Sequence, residues 1–223
     1  MDGGNFPIDL LLFGMVAAFL VLRLRGILGR RTGFERPRQP QGQPDSVPGL
    51  QRSAPVVELR LEPVTRLRAV PEPGTVTGQA LARMGELDQS FDPARFLVGA
   101  ESAFRMVVGA FAQGDRVSLQ PLLSDETYAG FDQAITAREA AGETQRSEIR
   151  SIEKAEIDEA VLQDSHAAIT VRFVSDQIAE TVDRENKPVA GTDAVTEITD
   201  LWTFVRDLAT SDPAWKLTGT RSG

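Results

Sequence analysis

Residues able to carry out acid–base or nucleophilic chemistry are sparse in this sequence. It has no cysteine and a single histidine, His166, which removes thiolate metal sites and most histidine-based catalysis. Asp164 and Ser165 precede this histidine, but a catalytic triad is defined by geometry and not by adjacency, so we expect a turn-exposed histidine. We expect the acidic stretch 156–159 to be a solvated turn, because its spacing brings too few oxygens together for Ca²⁺. No catalytic residue, metal or cofactor is predicted.

The side chains best suited to binding lie on predicted strands. Apolar residues alternate with polar ones there, so one face of a sheet is apolar and either fills a core or lines a ligand cavity. Trp202 and Trp215 each carry an indole N–H that needs a partner. Arg206 shares the face of Trp202, where it would bind a lipid phosphate or a carboxylate; the alternative is a salt bridge to an acidic neighbour. We expect no carboxylate on this face. The predicted pocket lining, for a partner or a lipid, comprises Phe104, Val108, Phe111, Phe131, Ile169, Val171, Phe173, Trp202, Phe204, Arg206, Trp215 and Leu217.

One central helix is predicted to position these side chains. Asp92 followed by Pro93 is typical of a helix start, and Gly114 supplies the stop. Between them, apolar residues recur at helical spacing around most of the circumference, which predicts a helix covered by other elements on most sides.

The remaining elements predict an α+β domain with helices packed on one face of a curved antiparallel sheet. A short amphipathic helix around residues 80–87 precedes the central helix, a brief helix follows Asp115, and a longer one runs from Ser124 to about Ala141. From there the pattern changes to a two-residue alternation. The predicted strands are Glu148–Glu156, His166–Ser175, Ile178–Arg184, Val195–Arg206 and Trp215–Thr220.

The N-terminal residues predict a single-pass membrane anchor over residues 1–31. A helix from Phe6 to Leu24 would be about 28 Å long, close to the thickness of the hydrocarbon core. A cleavable signal peptide is the alternative, but no basic residue precedes the apolar run. The basic residues follow it, which predicts an outside N-terminus and a cytoplasmic domain. The anchor residues are Ile8, Leu10, Leu11, Leu12, Phe13, Val16, Phe19, Leu20, Val21 and Leu22, and Arg23, Arg25, Arg30 and Arg31 form a collar expected to contact anionic lipid.

Residues 32–75 are predicted to be a proline-rich disordered linker, because eight of the thirteen prolines lie in residues 32–74 and such composition buries little apolar surface. Residues 1–75 contain ten Lys and Arg against seven Asp and Glu, net +3. Residues 76–223 contain fourteen against twenty-five, net −11. The domain predicted over residues 76–223 is therefore acidic, which argues against nucleic-acid binding.

Several segments of the predicted domain together resemble the C-terminal domain of the Tim-forty-four-like (Tim44-like) family. They are FLVGAESAFRMVVGAFAQGD (96–115), LQPLLSDETYAGFDQAI (119–135), ITVRFVSDQ (169–177), DLWTFVRD (200–207) and PAWKLTGT (213–220). The resemblance implies a cone similar to nuclear transport factor two, with an apolar pocket between helices and sheet. It also implies attachment to the inner face of an energised membrane, which here would be the bacterial inner membrane.

The resemblance leads to three hypotheses of different classes. The leading one is a membrane-anchored scaffold that holds membrane or translocating proteins, with an Hsp-seventy-type chaperone as one partner. The family's mitochondrial member has a long charged N-terminal region implicated in holding such a chaperone. Here the predicted span and tether take its place, so chaperone tethering is not simply carried over. The second is a module that recognises an anionic lipid such as cardiolipin. The third, an enzyme on the same cone, is disfavoured because it would need an acid or base within an apolar pocket.

Overall fold

The computed structural model describes residues 67–222. The predicted anchor and basic collar, and the linker up to residue 66, lie outside the described residues. Within residues 67–222, none of the helices has both the length and the apolar character needed to cross a bilayer. The elements in chain order are β1 (Leu67–Ala69), α1 (Val76–Leu87), α2 (Pro93–Gln113), α3 (Arg116–Leu119), α4 (Asp125–Ala141), β2 (Thr144–Gln163), β3 (His166–Val182), β4 (Pro188–Asp207) and β5 (Lys216–Ser222). The predicted α+β class is confirmed.

The helices begin and end where local sequence predicts. The Asp92 carboxylate accepts a hydrogen bond from the Arg95 N–H, at 2.7 Å, and caps α2. Gly114 ends α2 in the left-handed conformation with φ of 70°, which glycine adopts without steric cost. Ser124 and Gly142 have the same two roles at the ends of α4. The predicted central helix and the predicted helix after Ser124 are both confirmed.

The sheet differs from the predicted antiparallel one at its edge, where a parallel strand is added. Its strand order is β1-β2-β3-β4-β5, and β1 pairs with β2 in parallel, although the other three pairs are antiparallel. Sequence composition assigns residues 67–69 to the linker, whereas the structure makes them the edge strand. Arg68 holds this strand against α2 through two hydrogen bonds to the buried Glu101 carboxylate, at 2.6 and 3.1 Å. The composition of residues 67–69 cannot reveal an ion pair with a residue so far along the chain.

The strands are longer than predicted. The strands predicted at 166–175 and 178–184 are one continuous strand, β3, because Asp176 and Gln177 pair with both neighbouring strands. Strand β2 likewise continues to Gln163, so the acidic stretch 156–159 is not the predicted turn. The Arg172 guanidinium lies 2.6 Å from the Asp158 carboxylate, and this cross-strand ion pair keeps the acidic residues in the sheet.

The sheet bends around α2. Strand β2 contains three register shifts against β3, at Ile149/Ser151, Ile152/Lys154 and Ile157/Glu159. Each extra residue bends the strand and increases its twist. Curvature gives the sheet an inner face, on which alternate β3 residues from Ala167 to Gln177 are all buried. This inner face and α2 enclose the hydrophobic core.

Replacing either of two helical glycines by alanine is expected to change the stability of the protein, but in opposite directions. A Cβ at Gly78 in α1 would lie 2.0 Å from the backbone oxygen of Glu72, whereas a Cβ at Gly109 in α2 would meet nothing within 4 Å. We expect Gly78→Ala to lower the free energy of unfolding by roughly 1–3 kcal/mol, because the clash is with backbone. Gly109→Ala should raise it by about 1 kcal/mol, because alanine is the better helix former. Urea denaturation measures both, and destabilisation by Gly109→Ala would contradict the placement of that residue in open space.

Candidate functional site

The centre of the inner face is an aromatic cluster formed by one helix and two strands. The Phe104 ring of α2 stacks on Phe173 of β3, with centroids 4.4 Å apart and an interplanar angle of 7°. Trp202 of β4 meets Phe104 edge-on at 4.7 Å. Aromatic pairs in these arrangements gain energy beyond the area they bury. Ile169 and Val171 of β3 are fully buried on the same face.

A second aromatic cluster closes one end of the inner face. Phe96 of α2 packs edge-on against Trp215 at 4.8 Å and Phe204 at 5.9 Å. Phe91 covers Trp215 at 5.8 Å. Beside this cluster, Arg206 Nη1 lies 2.9 Å from Asp88 Oδ2, and both side chains are largely buried.

Arg206 therefore makes a structural ion pair, the alternative that the sequence left open. Its Nε also donates a hydrogen bond to the Asp212 backbone oxygen, at 3.0 Å. On the Asp88 side, the Ser90 hydroxyl and backbone N–H donate to Oδ1 at 2.6 and 2.9 Å. These two hydrogen bonds, and to a smaller extent Arg206, hold the pKa of Asp88 below its ordinary value. The arginine is thus already occupied by protein groups.

The remaining predicted lining residues join the opposite end of α2 to α4 and β5. Phe111 of α2 meets Phe131 of α4 edge-on at 5.0 Å, and Val108 is buried one turn earlier. Leu217 of β5 is fully buried, and its backbone bonds to Leu122 and Ser124. Eleven of the twelve predicted lining residues are thus on the helices and strands that enclose the core, and Trp215 lies directly before β5. Their role in holding a ligand stays a prediction.

A polar group on the inner face was missed by the sequence analysis. Ser175, Gln177 and Asp200 are at most 1% exposed. Gln177 Nε2 donates to the Ser175 hydroxyl at 2.9 Å and to Asp200 Oδ2 at 3.0 Å. The prediction that the inner face presents no carboxylate is therefore wrong. The hydrogen bonds explain how polar side chains are tolerated in an interior that is otherwise apolar.

Two further polar atoms lie on the same face without a partner among the described residues. Trp202 and Thr220 are opposite each other in the β4–β5 register, and both are more than nine-tenths buried. Within residues 67–222, neither the indole Nε1 of Trp202 nor the Thr220 hydroxyl finds a hydrogen-bond partner. An unmade hydrogen bond at a buried donor costs about 1–3 kcal/mol.

Strand alternation contains the signal that would have found this polar group. Ser175 and Gln177 continue the odd-numbered series that places Ile169, Val171 and Phe173 inside. Asp200 precedes Trp202 in the even-numbered series that correctly placed Arg206 on this face. Alternation therefore places these polar side chains on the inner face together with the apolar ones.

The other chemically capable residues are outside this site. His166 is exposed at the start of β3, after the turn at Asp164 and Ser165, as predicted. Across residues 67–222, no three histidine, aspartate or glutamate side chains converge to hold a metal ion.

The fold and the site define the class of protein. The domain packs helices on one face of a curved sheet, and its inner face combines aromatic rings with a few buried polar groups. A model of the Tim44-like domain matches residues 77–222, so the chain belongs to the Tim44-like domain family. The resemblance noted in the sequence is confirmed. The family's domain is generally a membrane-associated module related to protein translocation.

Three solved structures align with part of the chain at low sequence identity. The intermembrane space region of the chloroplast protein ARC6 aligns at 15% identity and a TM-score of 0.44, covering 59% of this chain and 96% of that one. A conserved protein from Planctomyces limnophilus DSM 3776 aligns at 15% identity and a TM-score of 0.33, covering 56% and 91%. TsrD from Streptomyces laurentii aligns at 12% identity and a TM-score of 0.26, covering 56% and 88%. No protein with a curated description matches the sequence.

The Asp88 carboxylate predicts a specific dependence of stability on pH. The pKa of Asp88 is lowered in the folded state. Its contribution to the free energy of unfolding is therefore complete above the unfolded-state pKa of about 3.9, and is lost as the pH falls through the folded-state pKa. We expect Asp88→Asn to destabilise the protein at pH 7, and the difference from wild type to shrink below about pH 4. Urea denaturation between pH 3 and pH 7 measures this. Ser90→Ala should weaken the same dependence, and a difference that grew on acidification would contradict the assignment.

Proposed function

We propose that this protein is a membrane-anchored binding module that holds membrane or translocating proteins at the cytoplasmic face of the bacterial inner membrane. The observation that carries the proposal is the family match over residues 77–222, because it relates the whole described domain to membrane-associated protein handling. The acidic charge of residues 76–223 supports it further, since basic segments of client proteins would be attracted to such a surface.

Tethering is the proposed mechanism. A domain joined to a bilayer by a linker of some forty residues keeps its binding surfaces within a small volume, which raises the effective concentration of any partner in or near the membrane. No bond has to be made or broken. An Hsp-seventy-type chaperone is one partner of the kind that such a module would hold.

Cross-linking in intact membranes tests this proposal. The full chain and a matched chain lacking residues 1–31 would each be purified from cross-linked cells. We expect the full chain to recover translocase components, chaperones or client chains at roughly tenfold higher yield or more, because tethering raises effective concentration. Recovery of none of these above background, or equal recovery by both chains, would contradict the proposal.

A lipid-binding module is the second candidate, and the observation that favours it is the largely aromatic inner face with its unpaired indole N–H. In this reading the inner face or the arginine collar recognises an anionic lipid such as cardiolipin. The two locations differ in charge. The collar attracts anionic headgroups, whereas the net charge of −11 on residues 76–223 repels them.

Vesicle flotation separates these two locations. The tested domain should begin at residue 67, since β1 is part of the sheet. We expect residues 67–223 to remain unbound to cardiolipin-containing vesicles because of their acidic charge. Flotation of the isolated domain would instead establish that the domain itself binds anionic lipid. Flotation only of chains that contain Arg23, Arg25, Arg30 and Arg31 would show that the collar alone binds it.

We propose that the domain is not an enzyme, although Asp200 gives the inner face the carboxylate that the sequence analysis did not expect. This carboxylate accepts a hydrogen bond from Gln177, which in turn binds Ser175. Such an arrangement serves to satisfy buried polar groups. Turnover of a small molecule by the full chain, abolished by Asp200→Asn, would establish the enzymatic alternative.

A further inference from the structure

The outer face of the sheet is left uncovered by the described domain. We use this term for the side chains that point away from α2 in residues 154–161, 168–174, 199–205 and 216–221. All four helices contribute residues to the core on the inner face, so within residues 67–222 the helical layer lies on one side of the sheet only. Val161 is 39% exposed on the other side. The outer face is therefore open to a partner.

The centre of the outer face can lose its contact with water at little cost. Thr170 of β3 and Thr203 of β4 are register partners whose hydroxyls hydrogen-bond each other at 2.9 Å, so each hydroxyl already has a partner. Ala168 and Val205, the next outward-pointing pair, are apolar and partly exposed. Gly219 is the register partner of Thr203 on β5, and a Cβ there would meet nothing within 4 Å. Such a surface lets a second sheet approach closely.

The charge of the outer face differs from that of the domain as a whole. The outer face has four basic and three acidic side chains, whereas residues 76–223 contain fourteen basic residues against twenty-five acidic ones. Two copies of so acidic a domain repel each other, and this repulsion is reduced where the facing surfaces carry balanced charge. The charged residues of the outer face are Lys154, Arg172, Lys216, Arg221, Glu156, Asp158 and Glu159.

The two signs of charge lie on opposite sides of the outer face. The three acidic side chains are all on β2, and two of the basic ones are on β5. Glu156 and Asp158 lie 3.5 and 2.6 Å from the Arg172 guanidinium. Within residues 67–222, Glu159 and Arg221 make no ion pair. An acidic side and a basic side that each keep an unpaired charge are complementary to a second copy of the same face turned over.

A two-fold axis parallel to the strands, over the boundary between β3 and β4, would bring the two signs together. Strands β2 and β5 lie equally far from this boundary, so β2 of one copy comes to lie over β5 of its partner. Glu156 and Arg221 are at the same level along the strands, connected through the register of Arg172 and Leu201. Glu159 is one outward-pointing level away, about 7 Å along the strand. Both acidic side chains are thus within reach of the partner's Arg221.

We propose that two copies of this chain pack outer face against outer face about this axis, as a symmetric dimer. Two sheets packed in this way lie about 10 Å apart. Four strands over three levels cover roughly 400 Å² in each copy, which is at the small end of specific interfaces. The dimer is therefore a reversible one, formed by chains that already fold as monomers. The inference does not rest on the proposed function.

Charge reversal tests this arrangement in the full chain. Glu159→Arg and Arg221→Glu would be prepared separately, and sedimentation equilibrium in a density-matched detergent would measure the Kd of each dimer. We expect the unchanged chain to dimerise reversibly and either variant to have a Kd at least roughly tenfold higher, because like charges then face each other twice across the axis. An equimolar mixture of the two variants should dimerise again, because both contacts of the mixed pair join opposite charges.

Matched controls for the change in net charge come from α1. Arg83 and Glu86 are exposed on this helix, on the other side of the sheet. Arg83→Glu and Glu86→Arg change the net charge as the two test variants do, and each should leave the Kd unchanged. Recovery of the dimer on mixing also excludes misfolding of the test variants, since misfolded chains would not regain a specific contact.

Three results would overturn the inference. The first is an unchanged chain that stays monomeric throughout the micromolar range. The second is a dimer that survives both charge reversals, as a dimer formed through residues 1–31 would. The third is a mixture that is no more dimeric than its two components, which would contradict the pairing of β2 with the partner's β5. Recovery of client proteins from cross-linked membranes tests the proposed function separately, because a monomeric chain could still hold them.

Discussion

The stacking of Phe104 on Phe173 is the contact on which the rest of the structure depends. It joins the middle of α2 to the middle of β3 at a centroid distance of 4.4 Å, and both residues are fully buried. A flat sheet would touch a helix along only a narrow strip, so the three register shifts of β2 are needed to bring the outer strands around α2. The curvature then places Trp202 edge-on against Phe104, and α2 becomes the axis of the core.

The two sides of this central contact satisfy their polar groups in different ways. Towards the N-terminus of α2, the aromatic cluster around Phe96 and Trp215 is accompanied by the Arg206–Asp88 pair, in which each charge has an opposite charge nearby. On β3 and β4 beyond Phe173, the Gln177 amide donates hydrogen bonds to the Ser175 hydroxyl and to the Asp200 carboxylate. Burying a polar group is tolerable only when it is hydrogen-bonded.

The edge strand gives the domain a defined entry for the preceding chain. Three residues of β1 pair with β2, and the bidentate contact between Arg68 and Glu101 fixes them to α2. The folded domain therefore begins at residue 67 and not at residue 76, where the predicted linker was expected to end.

Local sequence by itself determined the helices, the alternation of the strands and the α+β class. Caps such as Asp92 and Gly114 act within one turn of the chain, and alternate side chains of a strand always face opposite sides, so no distant residue was needed for these predictions. Alternation even placed Arg206 on the inner face correctly. The parallel pairing of β1, the continuity of β3 and the partners of Arg206 and Arg68 were decided by the tertiary structure. Each depends on residues far apart in the chain, as with Arg68 and Glu101, and contacts of this kind leave no pattern in the neighbouring sequence. The same holds for the two unpaired atoms, because whether a buried donor finds an acceptor is settled only when all the surrounding elements have packed.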